Sequence, residues 1–464
     1  MRKLIGVSSI ALAAAAPPPA TDARLRAIIA PVSQQQLHHP IETLVSFGTR
    51  HTLSSQTDPK RGIGAALEWV RGEFQRDSEQ CGNCLTIVDP SELVTGERIP
   101  KATRVRDMVA IQRGTERTND VVIIQAHIDS RVSDIMNSTS DAPGANDDGS
   151  GTAAVIEAAR ILSKRKFPGT IVYATLSGEE QGLYGGKVLA DYAKAHGWNV
   201  VTVLNNDIIG NTCGSDGVCD LGHARVLSEG PRSQGQAQLA AATHALGGEN
   251  DAPSRNISRF LASLSDRLNI GLEVRQIWRT DRFGRGGDHI PFLEMGYPAA
   301  RISVAVENYN WQHQDERTEG GIRYGDTIDH IDFPYLAKMT KLNVAAIAAI
   351  ASAPPPPEPK VEGAVSTDTK VAWPAVPGAA GYRVWWRRTD ANQWQVSRSV
   401  EAPYPPSRAG TTAPEAYGMT LRHIRIDDWV FGVSSVSKAG FESPVASAVP
   451  GGGFHPYIAP LKKP

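Results

Sequence analysis

Apolar residues along the chain change their spacing twice, and each change marks a different kind of structure. Between residues 23 and 79 they recur at helical intervals, with Leu67, Val70 and Phe74 on one face. From about Leu85, short apolar runs alternate with helical stretches. Val121-Val122-Ile123-Ile124 is unbroken by a polar residue, as in a strand covered on both faces. Residues 149–164 follow with Val155, Ala158, Ala159 and Leu162 on one helical face. Strands predicted over 170–176 and 200–204 flank a helix over 184–195, and a last helix is predicted over 333–351. Such alternation predicts an α/β domain over residues 23–352, its mainly parallel sheet flanked by helices.

Pro354-Pro355-Pro356-Pro357-Glu358-Pro359 ends that pattern. Consecutive prolines form stiff, extended backbone, which predicts a spacer over 353–360. Beyond it the period is two. Tyr382, Val384 and Trp386 alternate with Arg383, Trp385 and Arg387, and Trp429, Phe431 and Val433 repeat the alternation. A small all-β sandwich over 361–450 is predicted, with a tail over 451–464. Trp373, the Tyr382-Arg383-Val384 strand and the aromatic strand leading to Ala439-Gly440-Phe441-Glu442-Ser443 resemble a fibronectin type III domain. That resemblance implies a module that binds or spaces against another surface.

At the other end, Arg2 and Lys3 precede an apolar run from Leu4 to Ala16, followed by Pro17-Pro18-Pro19. A basic start, a short apolar stretch and small residues predict an export leader over 1–22, too short to span a bilayer. Its removal leaves no membrane span and predicts a secreted or periplasmic protein. Export places the cysteines in an oxidising compartment. They fall as local pairs, Cys81/Cys84 and Cys213/Cys219, and read as two short disulfides. A redox motif wants a helix after Cys84, yet Leu85-Thr86-Ile87-Val88 is strand-like, and no second Cys-x-x-Cys exists to complete a zinc site. The 48 basic and 49 acidic residues leave no positive excess with which to hold nucleic acid or an anionic membrane.

Five polar islands sit at the ends of the α/β elements: Ala126-His127-Ile128-Asp129, residues 144–151 (Gly-Ala-Asn-Asp-Asp-Gly-Ser-Gly), Ser177-Gly178-Glu179-Glu180, Asn205-Asn206-Asp207, and Trp311-Gln312-His313-Gln314-Asp315. Each alone has an ordinary explanation: a core histidine, a helix cap, first-turn charges or a polar loop. Together they place two imidazoles and three carboxylates where an open α/β sheet binds ligands, a donor set that suits zinc.

Taken in order, these motifs resemble the secreted bacterial di-zinc aminopeptidases, over about residues 40 to 350. The resemblance implies that Asp147 bridges two zinc ions, with His127 and Asp207 completing one site and Glu180 and His313 the other. It makes Glu179 the general base and Asp129 a support that holds the His127 ring through its other nitrogen. In that family the late histidine directly follows a tyrosine, whereas Asn310-Trp311-Gln312 separates Tyr309 from His313. His330 competes for the role. His313 is preferred because residues 325–333 read as the start of the last helix. The closing aspartate of the motif is Asp315, Asp326 or Asp329, and Gly287-Asp288-His289 is read as crevice wall. The implied substrates are peptides with a free N-terminus. Two cations roughly 3.5–4 Å apart can share a water and bring its pKa near 7, and a carboxylate beside it can carry its proton to the leaving amine. Two alternatives stand beside this: a single-zinc glutaminyl cyclase-like acyltransferase, and a non-catalytic adhesion protein using the C-terminal sandwich.

Overall fold

The structure is a computed structural model that describes residues 20–231, 245–402, 416–449 and 452–453. Most of the expected leader and nearly all of the tail lie outside the described residues. Residues 20–22 already belong to helix α1 (Ala20–Ile29), where Asp22 is buried and pairs with Arg267 at 2.6 Å.

Helices α2 (Gln34–Ser46) and α3 (Ile63–Gln80) follow. Ser33 caps α2 by accepting from the Gln36 N–H, and α3 buries Leu67, Val70 and Phe74. The strands β1 (Leu85–Val88), β2 (Ser91–Gly96), β3 (Ile99–Arg106), β4 (Met108–Gln112) and β5 (Arg117–His127) come next. Then α4 (Gly149–Leu162), β6 (Gly169–Leu176), α5 (Glu179–Gly182), α6 (Tyr184–Ala195) and β7 (Asn199–Asn206) alternate. Strand β8 (His223–Ser228), helix α7 (Pro253–Leu268), β9 (Glu273–Ile277), α8 (Ile290–Glu294), β10 (Ala299–Val304) and α9 (Phe333–Ser352) complete the α/β part.

Eight strands form one sheet in the order β1-β4-β6-β5-β7-β10-β8-β9. Its centre, β6-β5-β7-β10, is parallel, and antiparallel strands extend both flanks. Strand β5 shows why its residues are continuously apolar. Val122, Ile124 and Ala126 join the core beneath α2, α3, α4 and α9, while Val121 and Ile123 join Leu189 and Phe292 on the opposite face. Both cysteine pairs are disulfide-bonded.

One helix boundary differs from expectation. Residues 325–332 are loop with a single turn at Ile328–His330, and α9 begins at Phe333. Asp332 stops the helix from extending backward, because its side chain accepts from the Tyr335 N–H as an N-cap.

Helix α3 carries a measurable liability. Asp77 is buried, and burial pushes its carboxyl up to about 6, though Arg160 and Lys164 pull it back. The folded state therefore holds a proton that the unfolded chain gives up near pH 4, so stability falls as pH rises from 4 to 6 and the cost is complete above 6. Asp77→Asn is expected to add roughly 1–2 kcal/mol at pH 8 and almost nothing at pH 4. Urea unfolding at both pH values measures this; an equal effect at both would refute it.

The C-terminal residues form the expected sandwich. After a small hairpin of β11 (Arg317–Glu319) and β12 (Ile322–Tyr324) in the α/β part come β13 (Lys360–Glu362), β14 (Thr369–Pro374), β15 (Gly381–Arg388), β16 (Val396–Glu401), β17 (Ala416–Leu421), β18 (Trp429–Val436) and β19 (Ala446–Val449). One layer is β13-β14-β17 and the other β16-β15-β18-β19, joined by a parallel pairing of Lys360 with Val449. Trp373, Tyr382, Val384, Phe431 and Val433 fill the space between.

The proline segment is not a free spacer. Pro354, Pro357 and Pro359 are buried, and Arg117 donates to the Ala353 carbonyl at 2.6 Å. The sandwich docks directly on α7 and the loop before it. Buried Arg387 reaches both carboxylate oxygens of Asp251 at 2.8 Å, and Ser447 links Asp251 to Asn256. Once the two domains touch, the apolar proline rings have a surface to cover, and covering it is favourable.

Candidate metal centre

Three adjacent parallel strands deliver the polar islands to one edge of the sheet. Strand β5 ends on His127, β6 leads through Ser177-Gly178 into α5, and β7 ends on Asn206 just before Asp207. The loop before α4 brings Asp147, and the loop after β10 brings His313. This is the crevice beyond the carboxyl ends of the strands.

Asp147 lies at the middle. Its Oδ1 is 3.1 Å from Nε2 of His127, and its Oδ2 is 2.8 Å from Nε2 of His313. His127, Asp147 and Asp207 form one group of donor atoms within 4.8 Å of one another, and Asp147, Glu180 and His313 form a second. Oε1 of Glu180 is 3.0 Å from Nε2 of His313, yet it is buried without a hydrogen-bond partner. Imidazole nitrogens and carboxylate oxygens that converge in this way fit a shared cation, and the spacing suits donor atoms around zinc. All these residues except His313 are at least nine-tenths buried.

Local structure explains how the donors are held. Gly144 has φ 50°, and a Cβ there would come within 2.6 Å of the Asp147 carbonyl, so only glycine fits. Asp148 caps α4 through the Gly151 N–H and also accepts from the Ile208 N–H, tying the loop to the end of β7. Asn146 accepts from the Gly210 N–H. The carboxylate of Asp326 accepts from the backbone of Asn146 and of Asp147, the latter at 2.7 Å. Buried Arg50 donates to the carbonyls of Ile128, Pro143 and Gly144.

Asp129 holds the His127 ring through its main chain. Nδ1 of His127 bonds the Asp129 backbone carbonyl at 3.0 Å, while the Asp129 carboxylate is 3.6 Å away. That carboxylate instead accepts from the N–H groups of Glu179 and Glu180 and from the Thr52 hydroxyl. The first turn of α5 presents unpaired N–H groups, which draw the charge. Asp129 thereby orients His127 through its main chain and the Glu179-Glu180 pair through its side chain.

Glu179 is half-buried, and its carboxylate makes no hydrogen bond or ion pair among the described residues. Burial pushes it well above the usual carboxylate range; His127 opposes this, and Asp207 and Glu180 add to it. Gly178, with φ 80°, turns the chain so that α5 starts here.

The remaining sequence candidates lie elsewhere. His330 stacks on Trp311, ring centroids 3.9 Å apart, and belongs to neither donor group. Asp315 bonds Ser133, and Asp329 bonds Arg323. Asp288 and His289 are fully buried; Asp288 accepts from the Gly186 N–H and His289 bonds the Thr280 carbonyl.

Several residues at the centre were not singled out from the sequence. Arg131 reaches Glu180 Oε2 at 2.8 Å and His313 Nδ1 at 2.6 Å. Arg301 reaches Asp207 Oδ1 at 2.7 Å, with Arg282 at 3.8 Å from Oδ2. Glu307, near the head of the His313 loop, is gripped by Arg225, Arg282 and Arg285; these hold its carboxyl to about 2 against the effect of burial. Only Arg131 had a local signal, since it follows the His127-Ile128-Asp129-Ser130 island directly.

The chain is similar to known proteins over most of its length. The sequence pattern of peptidase family M28 matches residues 107–347, a span that includes every donor named above. A Leptosphaeria maculans protein named as a probable zinc metalloprotease is 40% identical over 444 residues, covering 93% of this chain and 98% of that protein. A Pyricularia oryzae protein of the same name is 38% identical, covering 93% of this chain and 85% of its own. These relatives are fungal, so the likeness is not confined to the bacterial branch. The crystal structure of the Legionella pneumophila LapA aminopeptidase superposes with a TM-score of 0.54 at 20% identity, covering 76% of this chain and 80% of that one, which establishes a shared fold. A family pattern running from β4 into α9, and relatives aligned through the sandwich as well, make this chain a member of peptidase family M28.

Proposed function

We propose that this protein is an exported aminopeptidase that binds two zinc ions and removes N-terminal residues from peptides. The observation that carries the reading is Asp147 shared between two three-donor groups, with the carboxylate of Glu179 within electrostatic reach of His127, Asp207 and Glu180. His127, Asp147 and Asp207 would hold one ion, and Asp147, Glu180 and His313 the other. Zinc bound there would polarise the scissile carbonyl and acidify a water. Glu179 would take the proton of the water that adds to the carbonyl carbon and return it to the leaving amine as the C–N bond breaks. Asp129 keeps both partners aimed by bonding the first turn of α5. Export is inferred from the basic and apolar N-terminus and agrees with two disulfides. The strand order of the C-terminal sandwich supports its likeness to a fibronectin type III module.

The test is a pair of anilide substrates, one with a free α-amino group and one acetylated. The free amine is expected to be cleaved with a kcat/KM at least about 100-fold higher, about 3 kcal/mol of transition-state binding. Equal turnover of both would point to an endopeptidase instead, and cleavage of neither to an enzyme that needs a free C-terminal carboxylate.

A further inference from the structure

Three buried guanidinium groups, Arg255, Arg259 and Arg387, gather around the carboxylate of Asp251 where the sandwich meets α7. Arg387 takes both oxygens of that carboxylate at 2.8 Å. Arg255 has Glu229 and Glu249, as well as Asp251, within electrostatic reach. Arg259 is left over. It is 2% exposed and makes no ion pair among the described residues. Its Nε donates to the Asn392 carbonyl at 2.5 Å and its Nη1 to Oδ1 of Asn256 at 2.9 Å, while its guanidinium carbon lies 5.1 Å from the ring centroid of Trp278. All three neighbours are neutral, and Nη2 has no hydrogen-bond partner among the described residues. Burial lowers the group to about 10, which leaves it charged at neutral pH.

Arg259 lines a cavity of about 250 Å³ walled by α1, α7 and the sandwich. The two carboxylates of the lining are already taken. Asp22 pairs with Arg267 at 2.6 Å, and Glu442 accepts from Nε1 of Trp385 at 2.9 Å and lies 3.4 Å from Arg383. Trp394, another wall residue, has a buried Nε1 that bonds nothing. Leu25, Phe260 and Phe441 supply apolar wall, and none of the donors of the metal centre borders the cavity.

We propose that this cavity binds a small organic carboxylate, held by Arg259 at the junction of the two domains. A carboxylate supplies the acceptor that Nη2 lacks, in a charge-assisted hydrogen bond, and balances a buried charge that is otherwise unpaired. The apolar wall favours a singly charged group on a hydrocarbon body over a phosphate, which gives up more hydration on burial. An ammonium group would meet a surplus positive charge and no free carboxylate. Because the wall comes from both domains, the bound carboxylate also braces their contact and raises the thermal midpoint.

Calorimetry on the full chain compares isocaproate, isopentylamine and inorganic phosphate. The first two share a hydrocarbon body and differ in the sign of the charged end. Isocaproate is expected to bind saturably at one site, at least about tenfold more tightly than either of the others. Arg259→Gln removes the charge. Ser263→Phe fills the mouth of the cavity from an exposed position on α7, where a larger side chain disturbs no core. Either change is expected to weaken isocaproate binding at least about tenfold and to leave zinc content unchanged. Thermal unfolding shows whether each variant folds; Arg259→Gln decides if it does, and Ser263→Phe if it does not. The proposal is overturned by a wild type that shows no saturable isocaproate binding, by phosphate or the amine binding as tightly, or by an unchanged Kd in the deciding variant. The last result would put the carboxylate on the metal centre instead.

Discussion

Glu179→Gln is expected to fold normally, to bind the same amount of zinc, and to hydrolyse unblocked substrate roughly 10²–10⁴-fold more slowly. The reasoning starts from what the side chain touches. Its carboxylate has no partner among the described residues, and its backbone N–H is already held by Asp129. Glutamine has the same shape, so no packing is lost, and removing a charge that sits among Asp207, Glu180 and Asp288 relieves repulsion. The metal donors are untouched. What disappears is the ability to take a proton from water and return it to an amine. The informative measurements are kcat on a free-amine anilide, zinc content and the thermal midpoint, taken together. A variant that retains full turnover removes Glu179 from the chemistry. One that loses zinc in parallel with activity makes it a donor instead.

Asp147→Asn is the complementary case and should be the more damaging to metal. Its two oxygens face opposite ways, one toward His127 and one toward His313. Asparagine replaces one oxygen with an amide nitrogen that cannot bind a cation, and removes the negative charge from both groups at once. Zinc is expected to fall from two per chain to one or fewer, and turnover by more than about 10³-fold, since a lost donor and a lost charge act on the same step. The backbone should hold its place, because Asp326 grips the Asp147 N–H rather than its side chain. Elemental analysis after gel filtration gives the stoichiometry. Retention of two tightly held ions would show that Asp147 does not bridge.

Much of this protein is readable without coordinates because its signals are local. The period of 3.6 in α3 and α4, the unbroken apolar run in β5 and the period of two in β15 each depend on residues within one element, and each appears where expected. The candidate donors were picked out by another local signal, since a polar residue just beyond an apolar strand reports its place at the sheet edge. The supporting arginines were not. Arg301 lies inside buried strand β10, Arg131 in a polar loop, and Arg387 on the face of β15 that a period-two pattern assigns to solvent. Arg301 and Arg387 are buried, and Arg131 half-buried, where a carboxylate from a distant stretch of chain meets each: Asp207 for Arg301, Asp251 for Arg387 and Glu180 for Arg131. Nothing near an arginine in sequence names that partner.

Sequence alone determined the order of elements, the mainly parallel α/β sheet and the all-β character of the C-terminal residues, because covalent neighbours and burial period decide those. Tertiary structure alone decided how the donors divide around Asp147, which atom of Asp129 holds His127, and that the sandwich rests on the α/β domain along α7. Those features depend on the direction of individual atoms brought together across long stretches of chain. Such directions follow from the packing of the whole sheet and cannot be reduced to the spacing within any one of its strands.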